Sequence, residues 1–210
     1  MAGKALFISY VNITSMTKVI LLHGDRCPAF RRGFREMVGH SMGLIQSHGL
    51  VMPDINVVVS LTPMLGTIPM HEPTALSTPD REPSLDNSLT DKLIEWLLPS
   101  GRTQWIYISS KALGKGFMGL TEPGKVLTHE MVHTVMRVLS PVYGGTPEWA
   151  REGMALYIAG QDLSEFDRVP FSLRNDRWAR YRSHYLRFAR EVERVGMDGI
   201  MRNIFRVYGP

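Results

Sequence analysis

The chain has 210 residues, a formal net charge of +4, and a composition that is 44% hydrophobic and 21% charged. These values predict one globular domain with its own core, and they exclude disordered and fibrous proteins. The single cysteine, Cys27, excludes an intrachain disulfide and lacks the partners of a nucleophile. No apolar run reaches the length of a transmembrane helix, and the N-terminus is a poor signal peptide, so we expect a cytoplasmic protein without a membrane span.

The first 120 residues combine short strands with one long helix. We expect a helix over 28–48, whose apolar residues fall on one side, and strands over four segments: 5–11, 18–22, 55–59 and 104–109. Residues 62–90 are rich in Pro, Ser, Thr and Asp, which predicts a long loop that covers a cleft, contacts substrate or is a surface insertion. A short amphipathic helix is expected over 88–98. Met16 is an alternative start of the chain.

Two helices joined by a reversing loop are expected in the next part of the chain. The first spans about 123–139, with Thr121 or Thr128 as its N-cap and a broad apolar face. Ser-Pro and Gly-Gly pairs then end the helix and turn the chain. Thr146 is the expected N-cap of the second helix, with Pro147 at its first helical position.

A metal site is predicted where these two helices meet. His129 and His133 are four residues apart, so a helix presents both imidazoles on one face. Glu152 lies on the second helix, and two nitrogens plus one carboxylate leave the fourth tetrahedral position of a zinc ion open. Glu130 is offset by one residue from His129, where it can accept the proton of the metal-bound water.

Two other interpretations of these residues remain. Each residue alone is most simply a polar side chain on an amphipathic helix, and only the ensemble favours a metal. The metal could also be structural, but a closed structural site usually has four protein ligands and is often rich in cysteine.

The motif resembles that of the gluzincin branch of the zincin metallopeptidases. The HExxH sequence over 129–133 is followed, after 18 residues, by Glu152. The segment 147–157, Pro-Glu-Trp-Ala-Arg-Glu-Gly-Met-Ala-Leu-Tyr, is also similar to the P-x-W-x-x-E-G-x-A-x-Y run of small peptidase domains in that clan. The resemblance implies an α+β, zincin-like single domain over 1–210. A small mixed sheet with a helix fills 1–120, and a mainly helical part, 121–210, carries the metal site.

The resemblance implies a peptidase that holds one Zn²⁺ per chain. His129, His133 and Glu152 would be the ligands, and Glu130 would activate the zinc-bound water against a peptide or protein substrate. The alternative is a catalytically inactive zincin-like domain with a binding or regulatory role. Aminopeptidases of this spacing carry a G-x-M-E-N stretch, whereas residues 116–119 read Gly-Phe-Met-Gly, so an endopeptidase is expected. Arg151 also replaces an Asn that is frequent before the ligand Glu in those enzymes.

The resemblance also assigns two further sets of residues. Zincins bind an extended substrate along the exposed edge of a strand above the metal helix, and residues 106–110 would be that edge, with Ile106, Tyr107 and Ile108 as contacts. Gluzincins supply an oxyanion donor from a downstream Tyr or His. The candidates are Tyr181, His184 and Tyr185, with Tyr185 slightly preferred.

Arginines are concentrated near the C-terminus, where seven fall within 174–194. Aromatic residues recur between them at helical spacing. A surface for nucleic acid or acidic partners is one interpretation. A helix with an aromatic core stripe and a solvated basic back is preferred, because glutamates are interspersed and no nucleic-acid-binding module is recognisable.

Overall fold

The computed structural model describes residues 8–12, 17–62, 75–78, 102–109, 122–168, 171, 174 and 176–207. These residues form a mixed α and β structure with one five-stranded sheet. The strands are β1 (Ile8–Asn12), β2 (Lys18–Leu22), β3 (Ile55–Thr62), β4 (Ala75–Thr78) and β5 (Arg102–Ser109). The helices are α1 (Pro28–Ser47), α2 (Pro123–Leu139), α3 (Glu148–Ile158), α4 (Leu163–Arg168) and α5 (Asp176–Asn203).

The sheet has a parallel centre and antiparallel edges, in the order β1-β2-β3-β5-β4. β2, β3 and β5 run parallel, while β1 pairs antiparallel with β2 and β4 antiparallel with β5. Every residue of β3 is buried, as expected of a central parallel strand rich in β-branched residues. The expected strands are confirmed to within a few residues. The loop expected over 62–90 is wrong at 75–78, where β4 lies, and residues 63–74 and 79–90 lie outside the described residues.

The core lies between one face of the sheet and the helices α1 and α2. Alternate residues of the central strands, such as Val57, Val59 and Ile106, pack in one cluster with Phe34 and Val38 of α1 and with the apolar face of α2. A buried hydrogen bond of 2.8 Å between Ser41 and Thr128 also joins these two helices. Helix α2, which carries His129 and His133, is therefore fixed against the sheet and against α1.

The helix boundaries agree with the sequence analysis except at the caps. α2 spans 123–139 as predicted, but Glu122 occupies its N-cap position, and the hydroxyl of Thr128 instead donates to the carbonyl of Gly124 inside the helix. Pro147 is the N-cap of α3, so the expectation that Thr146 is the cap and Pro147 the first helical residue is wrong by one residue. Thr121, the other predicted cap, and the helix expected over 88–98 lie outside the described residues.

Helices α3 and α5 pack unusually closely at Gly153. A Cβ atom added there would lie 2.6 Å from the carbonyl oxygen of His184 and 2.6 Å from Cβ of Phe188. Only glycine allows this approach, since real Cβ atoms do not come that near to backbone atoms. Because Glu152 is the preceding residue, the same contact sets the position of the predicted metal ligand relative to α5.

No helix among the described residues combines the length and the apolar character needed to cross a membrane.

Candidate metal centre

The three predicted metal ligands converge at the contact between α2 and α3. Nε2 of His129 lies 3.0 Å from Nε2 of His133. The Glu152 carboxylate faces both rings, with Oε2 at 3.4 Å from Nε2 of His129 and Oε1 at 3.5 Å from Nε2 of His133. The two histidines are buried and Glu152 is partly buried. One atom of each residue could therefore contact a single metal ion.

The separations between these atoms fit a tetrahedral ion. With metal–ligand bonds of about 2.0–2.1 Å, tetrahedral ligands lie roughly 3.4 Å apart. The two Nε2 atoms lie 3.0 Å apart, and they lie 3.4 and 3.5 Å from the two different carboxylate oxygens of Glu152, which is close to that value. Three ligands of the His, His and carboxylate type suit zinc and other divalent transition metals, and they leave one position open.

The electrostatics of the cluster favour an ionised carboxylate. Burial by itself raises the pKa of Glu152, but hydrogen bonds and charges from His129 and His133 outweigh it and hold the pKa well below its ordinary range. Burial lowers the pKa of His129, yet its hydrogen bond to Glu152 and the nearby charge of Glu130 raise it overall. The partly buried carboxylate of Glu152, which lies between two imidazoles, is thus stabilised by positive charge, and a metal cation would supply such charge.

Glu130 lies on the same turn of α2 as the histidines and is buried. Its backbone carbonyl accepts a hydrogen bond of 2.9 Å from the Thr134 hydroxyl. Its charge acts on His129, and it also contributes to the raised pKa values of Tyr143 and Tyr181. The structure therefore brings together the four residues that the sequence motif singled out.

The structure distinguishes among the three candidate oxyanion donors. The ring of Tyr181 lies beside His129, with 6.4 Å between ring centroids. The ring of Tyr185 instead packs against Tyr157 and Phe166, which favours Tyr181 over Tyr185 as a candidate. His184 is buried where α5 meets Gly153, and its Nδ1 has no hydrogen-bond partner.

The predicted substrate-binding edge is also corrected. β5 pairs with β3 on one side and with β4 on the other, so Ile106, Tyr107 and Ile108 do not offer a free strand edge. Their side chains are buried as well. Among the described strands, β4 is the last on this side of the sheet, and it lies against α2. Ser110 lies outside the described residues.

Two residues that contact the histidines at Nδ1 were not predicted from the sequence. Nδ1 of His129 lies 2.9 Å from Oε1 of Gln161, and Nδ1 of His133 is hydrogen-bonded to the hydroxyl of Tyr143. Both are buried and lie in turns that follow α3 and α2, respectively. Neither residue belongs to the motif. Their only signal in the sequence is a neighbouring glycine, which is Gly160 at the end of α3 for Gln161 and Gly144 in the turn after α2 for Tyr143.

Several arginines of α5 interact within the protein. Arg180 pairs with Glu148 at 3.8 Å and Arg182 with Asp167 at 3.6 Å, and the guanidinium carbon of Arg187 lies 4.0 Å from the ring centroid of Trp149. Arg194 pairs with Glu191 one turn away. These contacts support the interpretation of α5 as a packed helix with a basic outer side.

Comparison with known proteins adds no assignment: the chain matches no protein-family model, no curated protein and no solved structure.

Proposed function

We propose that this protein is a zinc-dependent metallopeptidase of the gluzincin type, acting as an endopeptidase. The observation that carries the proposal is the convergence of His129, His133 and Glu152 at distances that suit a tetrahedral ion, with Glu130 on the same helical turn. Such a set has three ligands, one open position and a carboxylate for proton transfer, which is the arrangement of catalytic zinc sites.

Zinc, when bound, would polarise the scissile carbonyl and make a water molecule a stronger nucleophile near neutral pH. Glu130 then accepts the proton of the attacking water and passes it to the leaving amine, as a general base and acid. Burial of Glu130 keeps this carboxylate away from bulk water. The two histidines and Glu152 hold the ion and take no part in proton transfer.

Tyr181 is the donor that we assign to the developing oxyanion. Its ring lies next to His129, and burial, with the Glu152 charge adding to it, raises its pKa to about 12. The hydroxyl consequently keeps its proton across the physiological range and can donate a hydrogen bond to negative charge. This replaces the role expected for Tyr185.

The substrate would bind as an extra strand along β4. This strand is the last of the described strands, runs antiparallel to β5 and lies against α2, so a peptide added to its outer edge would pass alongside α2. Strand addition uses backbone hydrogen bonds, which tolerate many side chains, and this suits cleavage within a peptide chain.

The first experiment is the zinc content of the purified protein beside three variants. We expect about one zinc per chain in the wild type and in Glu130→Gln, and loss of zinc in His133→Ala. His40→Ala is the matched control, because His40 is an exposed histidine on α1 that does not belong to the cluster, and the variant should leave the zinc content unchanged. Cleavage of a peptide library should then be seen with wild type and His40→Ala, and be lost in Glu130→Gln.

Two results would contradict the proposal. Wild-type protein that contains no zinc and takes none up would exclude a metallopeptidase. Zinc bound through the three ligands without cleavage of any peptide would support the alternative, a zincin-like domain with a binding or regulatory role.

A further inference from the structure

The two imidazoles of the metal centre are each held by a different buried side chain. On the inner side, both Nε2 atoms point toward each other and toward Glu152. On the outer side, Nδ1 of His129 contacts Gln161 and Nδ1 of His133 contacts Tyr143. Each ring is therefore held at both nitrogens, and neither can rotate without breaking a buried hydrogen bond.

Gln161 owes its position to the way α3 ends. Gly160 adopts a left-handed conformation with φ of 64°. The backbone N–H of Gln161 donates to the carbonyl of Leu156 at 2.9 Å, and the backbone N–H of Gly160 donates to the carbonyl of Tyr157 at 3.2 Å. These two hydrogen bonds form a Schellman motif. This turn is fixed by the backbone, so the Gln161 side chain reaches His129 from a rigid support. Its amide oxygen accepts a hydrogen bond from Nδ1–H, which leaves Nε2 free for a metal.

The ring of Tyr143 contacts three side chains. It stacks on Phe205 with 6.3 Å between centroids. The guanidinium carbons of Arg137 and Arg151 lie 5.9 and 5.7 Å from the ring centroid. Arg137 belongs to α2 and Arg151 to α3, so both helices that supply the proposed metal ligands contact the Tyr143 ring through cation–π interactions. Arg151, which departs from the gluzincin pattern, thereby acquires a role next to Glu152.

We propose that Tyr143 and Gln161 are positioning residues that orient His133 and His129 for metal binding through Nε2. The inference rests on the proposed function only in taking the cluster to be a metal site; it does not need peptide cleavage. Partners of this kind fix the ring orientation and the nitrogen that binds, and their removal weakens metal affinity roughly 10- to 100-fold. Arg137 and Arg151 act through Tyr143 by holding its ring.

The test is zinc affinity, measured by competition with a chromophoric chelator, in four variants. Tyr143→Phe and Gln161→Met remove the hydrogen-bonding group at nearly constant volume, and we expect zinc affinity to fall roughly 10- to 100-fold in each. Gln161→Glu keeps an acceptor for Nδ1–H and should retain the wild-type affinity. The matched control is Tyr185→Phe, because its ring packs on Tyr157 and Phe166, and we expect no change in affinity.

A second readout separates positioning from simple structural support. Imidazole ¹⁵N spectra of the zinc-loaded wild type should show both histidines bound through Nε2 with a protonated Nδ1. Tyr143→Phe should alter the His133 signals and leave those of His129, while Gln161→Met should do the reverse. A loss of stability alone would change neither pattern. If Tyr143→Phe does not fold, the Gln161 variants still decide the question.

The outcomes distinguish this inference from the proposed function. Zinc affinities of Tyr143→Phe and Gln161→Met equal to that of Tyr185→Phe would overturn the inference and leave the peptidase proposal standing. Weakened zinc binding in both, together with a wild type that cleaves no peptide, would support the inference and contradict the peptidase. A wild type that takes up no zinc would overturn both.

Discussion

Replacing Gly153 by alanine tests the close contact that couples Glu152, the proposed metal ligand, to α5. The new Cβ would lie 2.6 Å from the carbonyl oxygen of His184 and from Cβ of Phe188, so the helices α3 and α5 must move apart. Overpacking of this kind costs about 1–3 kcal/mol. For a domain of this size we expect the melting temperature to fall by about 2–4 °C for each kcal/mol.

The assay is thermal denaturation of Gly153→Ala, with Gly43→Ala as the matched control. Gly43 is an exposed residue of α1, and a Cβ there would meet no atom within 4 Å. Alanine is the better helix former, so Gly43→Ala should stabilise the protein by about 0.5–1 kcal/mol. The same Gly→Ala substitution is thus expected to lower the free energy of unfolding at position 153 and to raise it at position 43.

The variant also tests whether the contact positions the metal centre. Glu152 precedes Gly153 and Tyr181 belongs to α5, so separation of the helices should weaken zinc binding and lower the rate of cleavage, whereas Gly43→Ala should change neither. A melting temperature for Gly153→Ala equal to or above that of the wild type would refute the close approach. A lower melting temperature with unaltered zinc affinity would refute only its link to the metal.

Further predictions concern Tyr181, the metal and the basic helix. Tyr181→Phe should lower kcat by about 100- to 1,000-fold with little change in KM, the effect of losing one oxyanion donor; an unchanged kcat would exclude this role. Because the pKa of Tyr181 is raised to about 12 in the folded protein, its contribution to the free energy of unfolding is complete below pH 10 and is lost as the pH rises toward about 12. Ultraviolet titration of the wild type and of Tyr181→Phe should therefore differ by one phenol that ionises near pH 12. Zinc at 100 times its Kd should stabilise the wild type by about 2.7 kcal/mol, and a chelator should reverse this; His133→Ala should show no such dependence in a melting experiment. Because the arginines of α5 contact acidic and aromatic neighbours, we expect no salt-dependent retention on DNA or RNA columns; retention that falls steeply with salt would instead favour the nucleic-acid interpretation.

Elements whose signals are local could be predicted from the amino-acid sequence. The helix spacing of His129 and His133, the apolar periodicity of α2 and the β-branched run of β3 each depend on residues a few positions apart, and the structure agrees with them. The sequence also predicted that Glu152 lies beside the two histidines, because the reversing loop between α2 and α3 is short enough for the two helices to meet.

The residues that surround the cluster of His129, His133 and Glu152 could not be predicted in the same way, because they come from distant parts of the chain. Strand order arises from pairing between distant segments, so the sequence could not show that β4 covers the edge of β5. Tyr181 and Tyr185 are both aromatic residues of the same helix, and the rotation of α5 against α3, set at Gly153, directs Tyr181 to the cluster. Tyr143 and Gln161 reach the histidines through turns with no motif of their own, because the hydrogen bonds of an imidazole depend on distance in space and not on separation along the chain.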